Sequence, residues 1–255
     1  MDKLDNIEEV YKKELFNGEP IVYKDVKLYP VKCNKLIDFY SCIQVLLYDP
    51  LRYPTEVSAL PRLYFLTDII NHQNDEEYIN KNPMLLIFFA QLQYLLGLVF
   101  SDEQNVELRE HKGRWYISVK SDDKWVDIKA KDFDVIRKII LHQNGIDYDD
   151  TFVHEDIRQW ITEQQAKEDG EPATLEDYKE AFMLSLHIAD ESVINNVTIR
   201  RFNRIVEKTI TRENYNIQMT ASMSGFVTFK GKIDHWLHIE KKNRIFDKYF
   251  KTLNN

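Results

Sequence analysis

VELREHKGRWYISVKSDDKWVDI, residues 106–128, is the stretch that decides the fold class. Within it VELRE, RWYISVK and KWVDIK are short runs rich in β-branched and aromatic residues, parted by the turn-forming HKG and SDD. Such runs, bounded by such punctuation, predict a three-stranded antiparallel meander. The period changes directly afterwards. Phe133, Ile136, Ile139 and Ile140 fall on one helical face, and Asn144-Gly145 provides the residues that end a helix in a C-cap.

Upstream, PMLLIFFAQLQYLLGLVF (83–100) is the most apolar stretch of the chain. Gln91 and Gln93 interrupt it, Lys81 and Asp102 bracket it, and no second such segment exists, so it reads as a buried core helix and not a membrane span. Leu60 to Asn71 forms another helix, divided from it by the polar NHQNDEEYINKN. A further helix is expected from Asn34, as cap, to Asp49. Before that, EPIVYKDVKLYPV (19–31) alternates apolar and polar positions about Lys24-Asp25, as a hairpin does. Leu4, Ile7, Val10, Tyr11 and Phe16 give a short N-terminal helix.

Downstream, a helix is expected from about Val153 to Lys167, followed by the linker KEDGEPATLED (167–177), in which Thr174 stands three before Asp177 as a capping pair. Three helices complete the chain: 175–187, Thr198 to Met223, and an amphipathic one from Ile233 to Leu253. The expectation is therefore an α+β protein, mostly α-helical, with a short N-terminal hairpin and a central three-stranded antiparallel meander packed on helices. Residues 1–170 form a mixed helical domain with hairpin and meander, and 171–255 a C-terminal helical region.

Composition narrows the function. The chain of 255 residues is 44% hydrophobic and 13% aromatic, with seven glycines and seven prolines, which places it with folded proteins. Its 34 basic and 42 acidic residues leave a net charge of −8, against a general nucleic-acid binder. Cys33 and Cys42, nine apart on one expected helix, are roughly 13 Å apart along its axis, too far for a disulfide. With no other thiols, they point to a reducing compartment, and the charged N-terminus lacks the apolar core of a signal peptide.

No constellation specifies an active site, a cofactor or a metal. His142 and His154 with Asp147, Asp149 or Asp150 match no compact ligand set, and IDYDD lacks the alternating ligands of a calcium loop. His72 has no partner set in sequence, and His235 and His238 share a helix face without a cysteine or a second carboxylate. Ser222 and Ser224 before Gly225 lack the preceding glycine and strand of a nucleophile elbow, so Gly225 reads as a helix end. Arg200, Arg201, Arg204 and Lys208 line one helix, and Lys241, Lys242, Arg244, Lys248 and Lys251 make the last one cationic. Such runs are solvated faces or docking sites for an acidic helix. Trp236, Ile245 and Tyr249 on the last helix complete the candidate partner-binding set with Arg200, Arg201 and Arg204.

KDFDVIRKIILHQNGIDYDD, DIRQWITEQQ and RRFNRIVEKTITRENYNIQMTASMSGFVTFKGKIDHWL, together with GEPIVYKDVKLYPV, resemble tail-module proteins of tailed bacteriophages of Gram-positive hosts. The resemblance covers about two thirds of the chain, mostly 130–240, and carries no catalytic signature. It implies a tail assembly chaperone in the host cytoplasm, binding the long helical tape measure protein before the tail tube forms. The alternative is a structural part of the tail or baseplate retained in the virion. An enzyme using His142, His154 and the nearby aspartates is the reading of a different class. Self-association is left open.

Overall fold

The structure is a computed structural model describing residues 7–48, 60–100, 105–121, 124–146, 148, 174–227, 229, 233 and 235–237. It is mostly helical α+β and divides into two compact units, one of residues 1–148 and 192–201, the other of 149–191 and 202–255. A single cut at 170/171 does not reproduce this division, because 192–201 returns to the first unit. Backbone pairing explains the return: Cys33 N–H donates to Val197 O at 2.8 Å and Ile199 N–H to Val31 O at 2.9 Å, either side of a Lys32–Thr198 bridge. Ile194 and Ile199 are fully buried there.

The first unit begins with α1 (Ile7–Val10) and α2 (Lys12–Asn17), then the hairpin β1 (Ile21–Tyr23) and β2 (Val26–Leu28). Ile21 pairs with Leu28 and Tyr23 with Val26, so one face carries Ile21, Val26 and Leu28, all fully buried. Lys24 and Asp25 both take positive φ, the two-residue turn that matches strand twist. The helix expected from Asn34 is broken. Cys33–Lys35 is a 3-10 turn, followed by α3 (Leu36–Cys42) and α4 (Gln44–Leu47), and no side chain caps α3. The chain tightens at Ile43, where Leu46 N–H bonds Ile43 O at 2.9 Å and both side chains enter the core.

Next come α5 (Arg62–Asn71), α6 (Glu76–Lys81) and α7 (Pro83–Val99). The polar divider thus contains a helix of its own, started by the Asp75 carboxylate accepting from Tyr78 N–H at 3.0 Å and held by a Lys81–Glu77 ion pair. Helix α7 buries Leu85, Phe88, Leu92, Leu95, Leu96 and Val99, so one face is core, as expected; its other face is solvent-exposed. Among the described residues no helix is long and apolar enough to cross a membrane.

The meander is β3 (Val106–His111), β4 (Arg114–Ser121) and β5 (Lys124–Ile128), in the order β3-β4-β5. Its register aligns Leu108, Ile117 and Ile128 across one face and Glu107, Ser118 and Asp127 across the other. The sheet packs on α5 through β4 and on α8 (Ala130–Gln143) through β5. Helix α8 buries Phe133, Ile136, Ile139 and Ile140 as the sequence pattern requires, and also the polar Arg137 and Gln143. It ends at Asn144 and Gly145, the latter at φ +68°. The Arg200 backbone approaches 3.3 Å from where a Cβ would sit, so glycine is needed for conformation and for space.

The C-terminus of α8 clamps the hairpin. Asn144 Oδ1 accepts from Val31 N–H at 2.9 Å while its amide donates to Ile140 O at 2.9 Å, and Gln143 Nε2 donates to Leu28 O at 2.9 Å. Because the Val31 N–H is buried, Asn144→Ala leaves a donor without an acceptor, and unfolding free energy is expected to fall by about 1–3 kcal/mol. Urea denaturation measures it; an unchanged midpoint refutes the clamp.

Cys42 is buried, its Sγ directed at Phe39 O at 3.3 Å, and burial pushes its thiol pKa up to about 11. Neither cysteine is in a disulfide. Titration with a thiol-specific reagent at pH 8 is expected to modify the half-buried Cys33 first and Cys42 only after unfolding; equal rates for both contradict this packing.

The second unit contains α9 (Leu175–Leu186) and, from Phe202 onward, most of α11 (Ile199–Met223); the short α10 (Glu191–Asn195) precedes α11. The capping box is formed in full: Thr174 Oγ1 accepts from Asp177 N–H at 3.1 Å, and Thr174 N–H donates to the Asp177 carboxylate at 2.7 Å. The Thr174 hydroxyl, donating to the Asp177 carboxylate at 2.6 Å, and then the Thr174 N–H hold that carboxyl below its usual pKa range. The expected helices 175–187 and 198–223 are present within a residue at each end. The expected helix at 153–167 lies outside the described residues. Of the helix expected from Ile233 to Leu253, residues 233 and 235–237 are not helical, Trp236 standing in a turn, and 238–253 lie outside the described residues. Of the linker 167–177, Thr174–Asp177 begins α9 and 167–173 lies outside them.

Candidate protein-binding surface

Helix α11 contains no glycine or proline, and its apolar residues Ile199, Phe202, Val206, Ile210 and Ile217 recur at three-, four- and seven-residue steps. At 3.6 residues per turn these side chains form one stripe. Exposure along it climbs: 0% at Ile199, 2% at Phe202, 5% at Val206, then 47% at Ile210 and 65% at Ile217. Phe202 packs against Phe182 of α9, the rings tilted at 35° with centroids 5.1 Å apart. The first half of the stripe is therefore core, and the second half presents the same chemistry to solvent. Beyond it Met223, Phe226 and Val227 are also exposed, after Gly225 at φ +74° has ended the helix.

The sequence-predicted residues fall elsewhere. Arg200 belongs to the interior of the first unit, where Nη1 donates to His142 O and Nη2 lies 3.4 Å from Glu8 Oε1. With its side chain at 17% exposure, it serves the fold and is not presented to a partner. Arg201 and Arg204 are exposed, and with Lys208 and Arg212 they lie on the side of α11 opposite the apolar stripe. Arg212 is 3.4 Å from Glu213. The Trp236 ring is tilted 5.8 Å from His235, which in turn lies 5.2 Å from Tyr215, and Trp236 O accepts from Lys208 Nζ at 3.4 Å. Trp236 thus packs beside α11 in its own unit. Ile245 and Tyr249 lie outside the described residues.

The histidines have local partners. His142 Nδ1 is 3.6 Å from Glu8 and Nε2 is 3.2 Å from the Tyr148 hydroxyl, while His154 lies outside the described residues. His72 stacks on Tyr78 at 3.9 Å, with Asp68 4.0 Å from its Nε2. Ser222 and Ser224 donate back to the helix carbonyls of Met219 and Ala221 at 2.8 and 2.7 Å, the behaviour of hydroxyls at a helix end. Among the described residues no three His, Cys, Asp or Glu side chains converge as a metal site.

Ile210 and Ile217 stand outside the sequence-predicted set, which follows the charges of Arg200, Arg201 and Arg204. The signal was present in the period: the stripe that is buried at Phe202 and Val206 continues to Ile210 and Ile217, which are exposed. Comparison with protein-family models, curated proteins and solved structures gave no match.

Proposed function

We propose that this protein is an assembly chaperone that holds an apolar helical segment of another protein, the tape measure protein of a phage tail on the resemblance in residues 130–240, until assembly covers that segment. The observation that carries the reading is the α11 stripe, whose second half exposes Ile210 and Ile217 at the spacing that packs against another helix. A tape measure protein is a long amphipathic helix that aggregates if its apolar face stays bare. A stripe continuous with a folded core offers such a face a rigid place to dock, and holding it requires no chemistry. The net charge of −8 keeps the complex soluble.

Co-expression of the tagged protein with the tape measure protein of the same genome, followed by affinity purification and light scattering, tests this. A soluble stoichiometric complex, with the chaperone missing from purified virions, is the expected result. If the tape measure protein stays insoluble while this protein purifies alone and is found in virions by mass spectrometry, the structural-component reading replaces it.

A further inference from the structure

The charges of α11 are sorted about its apolar stripe. Counting about 100° per residue from Ile210, Ile217 stands about 20° away, and Glu207 and Glu213 stand about 60° to either side. Arg201, Arg204, Lys208 and Arg212 all stand at least about 120° away, on the back of the helix. Glu207, Ile210, Glu213 and Ile217 are all exposed. Their neighbours on this side, Asn214, Gln218, Thr220 and Ala221, carry no charge. The exposed half of the stripe therefore has a carboxylate on each border and no cation beside it on α11.

From this arrangement we infer that the helix received by the stripe is cationic, an amphipathic segment of another protein with Lys or Arg on both borders of its apolar face. The inference deepens the reading above and rests on it. When two helices pack along their apolar stripes, the residues bordering one stripe meet those bordering the other, as the flanking positions of a coiled coil do. Two carboxylates on α11 then call for two cations on the partner. Glu213 lies 3.4 Å from Arg212, with the two side chains 57% and 46% exposed. An exposed pair of this kind is weak and yields to a partner charge that docking brings out of water.

Charge selects this occupant over the others. An acidic helix would set its own carboxylates against Glu207 and Glu213, and like charges brought together suppress the wrong partner. A second copy of this chain would bring the same two glutamates to the same borders, whichever way the helices run. A helix with uncharged borders would desolvate both carboxylates with nothing to offset the cost. The whole chain acts in the same sense, since a net charge of −8 draws a cationic segment and repels another copy. Phe202 and Val206, buried on the same stripe, hold the helix that carries these borders.

Isothermal titration of the full chain with three synthetic helical peptides, sharing one leucine stripe bordered by lysine, glutamine or glutamate, tests the inference. At low salt the lysine peptide is expected to bind at least about 10-fold tighter than the glutamate peptide, with glutamine between them and the gap narrowing as salt rises. In the variant Glu207→Lys with Glu213→Lys the order is expected to reverse. A gain of affinity for the glutamate peptide cannot come from misfolding. Equal affinities, or an order that the variant leaves unchanged, overturn the inference and leave the stripe as the docking face. If Ile210→Glu with Ile217→Glu leaves the binding of every peptide unchanged, the docking reading falls and this inference with it. A full chain that binds the lysine peptide only once Lys241, Arg244 and Lys248 are changed to glutamate overturns the assignment to another protein and gives the stripe to this chain's own cationic end.

Discussion

Phe65→Ala is expected to lower the unfolding free energy by about 3–5 kcal/mol, enough to consume much of the stability of a marginally stable domain. Phe65 is fully buried on α5, stacked on Tyr48 with centroids 4.5 Å apart and planes at 12°, and tilted against Phe88 of α7 at 6.4 Å. Tyr48 also meets Phe88 at 5.7 Å, so three rings from α5, α7 and the end of α4 close on one another. Removing the middle ring strips two aromatic contacts at once and leaves a cavity that rigid helices on two sides cannot fill. Phe65→Leu keeps most of the volume and should cost markedly less. Phe16→Ala, at an exposed position, should stay within about 0.5 kcal/mol of the unsubstituted protein. Fluorescence of Trp115, whose indole N–H donates to Asn71 Oδ1 at 2.7 Å beside α5, follows unfolding in guanidinium. Equal midpoints for Phe65→Ala and Phe16→Ala would refute the aromatic cluster as the centre of this unit.

The architecture was legible where one local rule dominates. Alternation and Lys24-Asp25 marked the hairpin, HKG marked the first meander turn, and Thr174 with Asp177 marked the start of α9 because the capping box is local chemistry. What escaped depends on partners distant in sequence. Arg137 of α8 is buried with Nε donating to Leu46 O at 2.6 Å, an acceptor 91 residues away. Asn144 reads as a cap and is also the clamp for Val31, 113 residues upstream. Polarity predicts exposure only when no buried acceptor is waiting, and a sequence does not show where carbonyls will be. The candidate site was misjudged for a related reason. Arg200, Arg201 and Arg204 were grouped by charge, but Arg200 faces His142 and Glu8 inside the first unit while the other two face solvent. The apolar stripe of α11 is a period in the sequence; that Val206 is buried and Ile210 exposed is not, since it depends on which residues pack against the helix.

On the proposed chaperone function, Ile210→Glu combined with Ile217→Glu is expected to weaken capture of the tape measure protein by at least about 100-fold while leaving the fold intact. Two exposed isoleucines that become buried at a helix–helix interface contribute about 1.5–3 kcal/mol each, and 100-fold corresponds to roughly 2.7 kcal/mol. Burying two carboxylates in their place adds a desolvation penalty to the lost contact. The fold should not suffer, because both positions are exposed, Ile210 at about half and Ile217 at 65%, and glutamate is a good helix former. The paired control is Arg201→Ala with Arg204→Ala, which removes exposed charge from the opposite side of α11. If the stripe is the binding face, this pair should change capture less than about threefold, the scale of a peripheral charge. Isothermal titration with a peptide spanning one amphipathic segment of the tape measure protein separates the two surfaces. Full binding by the double glutamate variant, with loss in the double alanine variant, would move the site to the basic side and recast the partner as an acidic helix. Loss in the glutamate variant alone would fix the apolar stripe as the docking face, with its rigidity supplied by the buried half of the same helix at Phe202 and Val206.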